Sequence, residues 1–180
     1  MTPRMFLAVC ATPLLVAMSA AHATPAQVQA LQQVNRDIWG PFVRGVGSFD
    51  DATWLGVRSK DFVMVQQGKP HFLGHDAYVE DSTKVMRELK QAGTRLALEV
   101  RFDERMTDGR YGSERGLIRT TISESGKEAR TIFSRFHAIV RLEDGRWRVL
   151  TEYRTPAGPG AEQAFSAAHG VDAAAAALKE

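Results

Sequence analysis

An α+β fold, with helices covering one face of a curved antiparallel sheet, is what three features of the sequence predict. Apolar residues recur at helical spacing from Val28 to Phe42 and again from Tyr78 to Leu89. After Gly93 the period changes to alternation and stays so to Thr155. The dipeptides Asp108-Gly109, Ser125-Gly126 and Asp144-Gly145 cut that stretch into four strands. Helices first and hairpins afterwards give this class.

In chain order, Arg4 precedes an apolar run from Met5 to Met18, and small residues end in Ala21-His22-Ala23. This is a signal-peptide pattern, with cleavage expected after Ala23 and a periplasmic or secreted product. The run is shorter than the roughly 20 residues of a membrane-spanning helix, so no stable anchor is expected. A lipoprotein box at Leu7–Cys10 fits poorly, because Val9 occupies a small-residue position. Cys10 is the single cysteine and would leave with the leader, so the mature chain holds no disulfide and depends on a packed core. The chain carries 23 Lys plus Arg against 21 Asp plus Glu, interleaved along its length. So balanced a charge gives no footing for a nucleic acid or an anionic membrane.

Residues 24–156 read as one domain. Thr24-Pro25-Ala26-Gln27 is a capping box with proline at the first helical position, and Val28, Leu31, Val34, Ile38 and Phe42 form the apolar stripe behind it. Gly40-Pro41 is expected to kink or end that helix. Asp50 and Asp51 cap a short helix from Thr53 to Arg58. A strand follows at Asp61–Gln66, and Gln67-Gly68-Lys69-Pro70 turns the chain. His75–Gln91 is a helix with acids early, bases late and Gly93 as its stop. The strands are expected at Thr94–Met106, Gly112–Ser123, Glu128–Leu142 and Arg146–Thr155. Residues 157–180 read as a flexible Ala/Gly/Pro-rich tail, with a short alanine-rich helix at Asp172–Lys179.

A tight hairpin on Asp144-Gly145 pairs Leu142 with Trp147, Val140 with Val149, Ala138 with Thr151 and Phe136 with Tyr153 on an apolar face. On the other face it sets His137 opposite Glu152, and Arg135 opposite Arg154. The first long strand divides likewise, with Leu96, Leu98, Val100 and Phe102 on one side and Glu99, Arg101, Asp103 and Arg105 on the other. The pocket then lies between helices and apolar face, with Tyr153, Thr151, Phe136, Phe102, Trp54 and Tyr78 as lining. The register of the strand holding Arg115 and Arg119 stays open: Arg119 inside implies an anionic ligand, and outside it leaves the pocket to Tyr153 and Thr151. His71, His75 and Asp76 offer no firm third ligand, so neither a metal nor a cofactor is expected. His137 and Glu152 read as part of a solvated or dimer-facing charge lattice.

The order of elements, the closing hairpin Val140–Leu150 with its Asp-Gly turn and following Trp147, and Pro70-His71-Phe72-Leu73-Gly74 before a helix resemble the nuclear transport factor 2-like superfamily. The resemblance is to its SnoaL-like and ketosteroid-isomerase-like branch and covers about residues 25–156. It implies a cone-shaped sheet around a hydrophobic cavity and a homodimer through the outer sheet face, where Phe133, Ile139 and Leu150 lie. The function expected is binding of a small apolar or amphipathic molecule. The alternatives are a ketosteroid-isomerase-like or polyketide-cyclase-like enzyme, and an interaction protein with a filled core. An isomerase needs a carboxylate base in the cavity, and the expected register supplies none.

Overall fold

Thr24 begins the folded chain as its sequence predicts. Its hydroxyl accepts from the Gln27 backbone N–H, and the Gln27 side chain accepts from the Thr24 backbone N–H. A computed structural model describes residues 24–67, 72–171 and 173. The leader, the turn residues 68–71 with His71, and the helix expected at 172–179 (save residue 173) lie outside the described residues.

Helix α1 (Pro25–Val34) does not end at Gly40-Pro41. It runs through a π-helical turn at Asn35–Trp39 into α2 (Gly40–Ser48). The wider turn answers the proline: Gly40 N–H reaches back to Asn35 O, loosening the ladder where the Pro41 ring would crowd the preceding turn. Helix α3 (Asp51–Leu55) is capped by Asp50, which accepts from Thr53 N at 3.2 Å. Strand β1 (Arg58–Gln66), strand β2 (Phe72–Gly74) and helix α4 (His75–Gln91) follow.

Four long strands complete the chain's second half: β3 (Arg95–Thr107), β4 (Tyr111–Ser123), β5 (Arg130–Glu143) and β6 (Arg146–Pro156). Helix α5 (Ala161–Ala167) and the short β7 (His169–Gly170) come last. The sheet runs β2-β1-β6-β5-β4-β3-β7 and is antiparallel except where β1 lies parallel to β6. Asp144 (φ 49°) and Gly145 (φ 79°) both take left-handed conformations, which the two-residue hairpin turn requires. The helical rod is tied to this hairpin, because Asp37 accepts from Trp147 N at 3.0 Å.

The segment expected as a loose tail is in part structured. Phe165 of α5 is buried against Phe133, with ring centroids 5.5 Å apart, and β7 pairs with the β3 edge. Apolar Ala161 and Phe165 recur four residues apart, which gives this short helix a face to bury on the outer side of the sheet. Phe133, expected at a dimer face, is therefore packed beneath the chain's own helix.

Two β-bulges decide which side chains face the cone. In β3, Phe102 pairs with Gly116 and the next pair is Glu104 with Arg115, so Asp103 is an extra residue. In β6, Val140 pairs with Val149 and the next pair is Ile139 with Thr151, so Leu150 is extra. Each extra residue reverses the alternation beyond it. Arg105 and Glu152 therefore turn inward, against expectation. The two bulges flank one level from opposite sides, for Arg105, Glu114, Ala138 and Glu152 are successive partners across β3 to β6 and lie between them. Bulges at defined positions also curve a sheet.

Gly116 sits where the β3 bulge brings backbones together. A Cβ at that position would lie 1.9 Å from Arg101 O. Gly116→Ala is expected to lower stability by about 3 kcal/mol, as overpacking against backbone does. Urea unfolding followed by circular dichroism measures this, and a loss below about 1 kcal/mol would show that the bulge tolerates a side chain.

Candidate functional site

The cone interior divides into a filled end and an open end. At the filled end Trp39 packs against Phe102 and Phe136, with centroids 5.4 and 5.0 Å away. Both phenylalanines are buried core there and line no part of the open cavity. Beside them Arg105 and Glu114, each fully buried, form an ion pair: Arg105 Nε donates to Glu114 Oε1 at 2.7 Å, and the Trp39 indole N–H donates to Glu114 Oε2. The guanidinium stacks 4.0 Å from the Phe102 ring centroid. Such a pair survives burial because both carboxylate oxygens find donors, although Arg105 Nη1 has no hydrogen-bond partner among the described residues.

The open end holds a cavity of about 320 Å³, bounded by Phe42, Trp54, Met64, Tyr78, Met86 and Leu98. Its polar groups are Gln66, Ser82 and Thr120, the exposed Asp81 at the rim, and Arg154. Arg154 enters because the β6 bulge places it opposite Phe136, on the inner face. Glu152, buried to 3% exposure, stands behind it. Arg154 Nε donates to Glu152 Oε1 at 2.9 Å, and its Nη2 reaches the same oxygen. Glu152 Oε2 lies 3.7 Å from Nη2 of the buried Arg58.

Arg58 is held by geometry as well as charge. Its Nη1 donates to Trp54 O at 2.6 Å and its Nη2 to the Tyr78 hydroxyl at 3.0 Å. Phe42, Trp54, Phe62 and Tyr78 surround the guanidinium carbon at 4.7–5.6 Å from their centroids, an aromatic cage suited to a cation. For Arg154, burial works against the charge. The charge of Glu152, its hydrogen bond and Tyr78 together outweigh that largest cause and hold the guanidinium pKa above the ordinary arginine value.

Of the residues expected to line the pocket, Trp54 and Tyr78 do so. Tyr153 does not: it pairs with His137 on the outer face and is 45% exposed. Thr151 pairs with Ile139 on that same face. Arg119 also points outward, bonded to Glu99 with its guanidinium 5.0 Å from the Phe165 ring centroid. His137 faces Ser113 rather than Glu152, with Nε2 2.9 Å from the serine Oγ. Burial, then Arg115, holds its pKa below the usual histidine value. A groove of about 350 Å³ runs beside it between Asp103, Arg115, Arg135 and Tyr153. Its charges pair with each other, Arg135 with Asp103 at 3.4 Å and Arg115 with Glu104 at 3.8 Å. His75 Nδ1 contacts Asp76 Oδ1 at 2.7 Å, and this bond lowers the carboxyl pKa at the helix start.

Sequence reasoning missed Arg58, Glu152 and Arg154. A charged residue every second position, Glu152 then Arg154, reads as a solvated face unless a bulge is known.

Comparison with solved structures agrees with this architecture. A nuclear transport factor 2-like protein with a cystatin-like fold from Novosphingobium aromaticivorans superposes with a TM-score of 0.61 at 13% identity, covering 77% of this chain and 90% of that one. A conserved protein from Planctomyces limnophilus gives 0.60 at 16% identity, over 72% and 99% of the two chains. A ketosteroid isomerase-like protein from Erwinia carotovora atroseptica gives 0.51 at 15% identity, over 70% and 98%. No family model matches the sequence. No curated protein matches it significantly either. The chain has the nuclear transport factor 2-like, cystatin-like fold.

The Arg105–Glu114 pair should behave as a unit. Arg105→Met or Glu114→Gln alone is expected to cost about 3–5 kcal/mol, because each strands a buried charge. The double variant should cost less than the sum of the two. Equilibrium denaturation of the full cycle measures the coupling, and additive losses would contradict it.

Proposed function

We propose, with the nuclear transport factor 2-like fold as premise, that this chain binds a small amphipathic molecule inside the cone. The observation that carries this reading is an apolar cavity with a single guanidinium, Arg154, reaching its wall. A cavity of about 320 Å³ lies at the lower end of the range that holds small organic ligands, and such sites combine apolar lining with a few polar anchors. The body of the ligand would pack on Phe42, Trp54, Met64 and Leu98, and its polar end would meet Arg154. An open cavity also favours binding over an interaction protein with a filled core.

A second reading, a proton-transfer enzyme, gains support from Glu152 and the Tyr78 hydroxyl. Both face Arg58 in one wall, and a carboxylate base with a phenol donor is what an isomerase-type site requires. A solved neighbour described as ketosteroid isomerase-like is compatible with it. Against it, Glu152 is buried and not among the residues that line the cavity, with Oε1 engaged by Arg154 and Oε2 facing Arg58.

We also propose, from the signal-peptide pattern that ends at Ala23, that the working protein begins at Thr24 and acts outside the cytoplasm. It would be paired with a second copy through the part of the outer sheet that α5 leaves open, around Ile139 and Tyr153. Native mass spectrometry of chain recovered from the periplasm of an expression host tests all three elements. The expected result is the mass of a dimer beginning at Thr24, with a retained molecule released by organic solvent. Leu98→Trp, which fills the cavity, should lose that molecule without lowering the melting temperature by more than a few degrees. An uncleaved chain contradicts export, and a monomer contradicts pairing. A chain that carries nothing and is unshifted by apolar ligands contradicts the pocket. Turnover of the retained molecule, abolished by Glu152→Gln, would favour the enzyme.

A further inference from the structure

We infer that the ligand of the cone carries one negative charge, a carboxylate or its equivalent, which pairs with Arg154. This rests on the binding reading above and names the chemistry of that site. Among the described residues the inward charges at the open end are Arg58, Glu152 and Arg154. Two guanidiniums against one carboxylate leave one positive charge in excess. The nearest other carboxylate lining the cavity, Asp81, is exposed at the rim, where water screens it. The Arg105–Glu114 pair at the filled end is balanced within itself.

Geometry assigns the excess to Arg154. Arg58 is fully enclosed, with its Nη atoms bound to Trp54 O and the Tyr78 hydroxyl. Arg154 spends one edge on Glu152, since Nε and Nη2 both donate to Oε1. Among the described residues its Nη1 has no hydrogen-bond partner, and its side chain is 26% exposed where it lines the cavity. The edge formed by Nη1 and Nη2 is therefore available, and it has the two-pronged shape that matches a carboxylate.

Solvation then selects the ligand. Water in the cavity hydrates the free edge of Arg154. A neutral apolar molecule that expels this water leaves N–H groups of a cation without partners, which burial penalises. An amphipathic anion replaces the lost water with two charge-assisted hydrogen bonds while its tail covers Phe42, Trp54 and Leu98. An amphipathic cation brings like charge against Arg154 and is excluded.

Titration calorimetry of the full chain with octanoate, octan-1-ol and octylammonium separates these cases, because the three probes share a tail and differ in the head. Octanoate is expected to bind at least about tenfold more tightly than octan-1-ol, with octylammonium weakest. Arg154→Gln should abolish the preference for octanoate while octan-1-ol binding stays within about twofold, which also shows that the cavity still folds. Glu152→Gln, which removes the internal countercharge, should strengthen octanoate binding. Octan-1-ol binding as tightly as octanoate would overturn the anionic ligand and leave the pocket standing. So would an octanoate preference that survives Arg154→Gln. Absence of binding by all three probes would overturn the pocket reading and this inference together.

Discussion

A carboxylate withdrawn from water must find countercharges, and Glu152 finds them in Arg58 and Arg154. That requirement organises the open end of the cone. Arg58 has to enter the interior at the start of β1, where Phe42, Trp54, Phe62 and Tyr78 close around it. Arg154 has to lie along the cavity wall. A bulge at Leu150 is what turns Glu152 inward, so one extra residue in β6 sets the chemistry of the pocket. The bulge at Asp103 does the same for Arg105, bringing it to Glu114 at the filled end.

The two ion clusters differ in a way that separates architecture from function. At the filled end Glu114 is fully satisfied by Arg105 and Trp39, and the cluster is sealed and neutral. Its replacement by well-packed apolar groups need not destabilise the fold, because desolvation offsets much of the attraction. At the open end the cluster is unbalanced and reaches the cavity. A charge that a purely structural role would pair or omit is presented to whatever enters. The binding proposal depends on that asymmetry more than on the volume of the cavity.

Much of the fold was legible in the sequence because it rests on local chemistry. The capping box at Thr24, the charge gradient along His75–Gln91 and the Asp144-Gly145 turn each point to one conformation, and the structure adopts it. Pairing near that turn, Leu142 with Trp147 and Val140 with Val149, was also legible, because register is fixed by the turn. Seven residues beyond Asp144 the reading fails. Alternation carried past Leu150 puts Tyr153 inside and Glu152 outside, and the bulge reverses both. Nothing in Val149-Leu150-Thr151 marks the extra residue, since all three suit either face of a strand. One signal was present: Glu152 and Arg154 flank an aromatic residue, and two charges of opposite sign on one face can satisfy each other inside. Gly116 opposite the β3 bulge was a second, because a glycine within a strand often marks a close backbone approach. The expectation of an anionic ligand was attached to Arg119, which lies outside; Arg154 occupies the position that argument needed.

The direction in which residues 152 and 153 point is therefore the central claim, and native-state thiol labelling tests it directly. In a Cys10→Ser background, Tyr153→Cys is predicted to react with a water-soluble thiol reagent at close to the rate of an unfolded peptide. Glu152→Cys should be protected by at least about a hundredfold, with circular dichroism confirming that both variants are folded. The opposite pattern, a protected Cys at 153 and a reactive one at 152, would mean that β6 runs without the bulge. The ion cluster at the mouth of the cavity would then not exist.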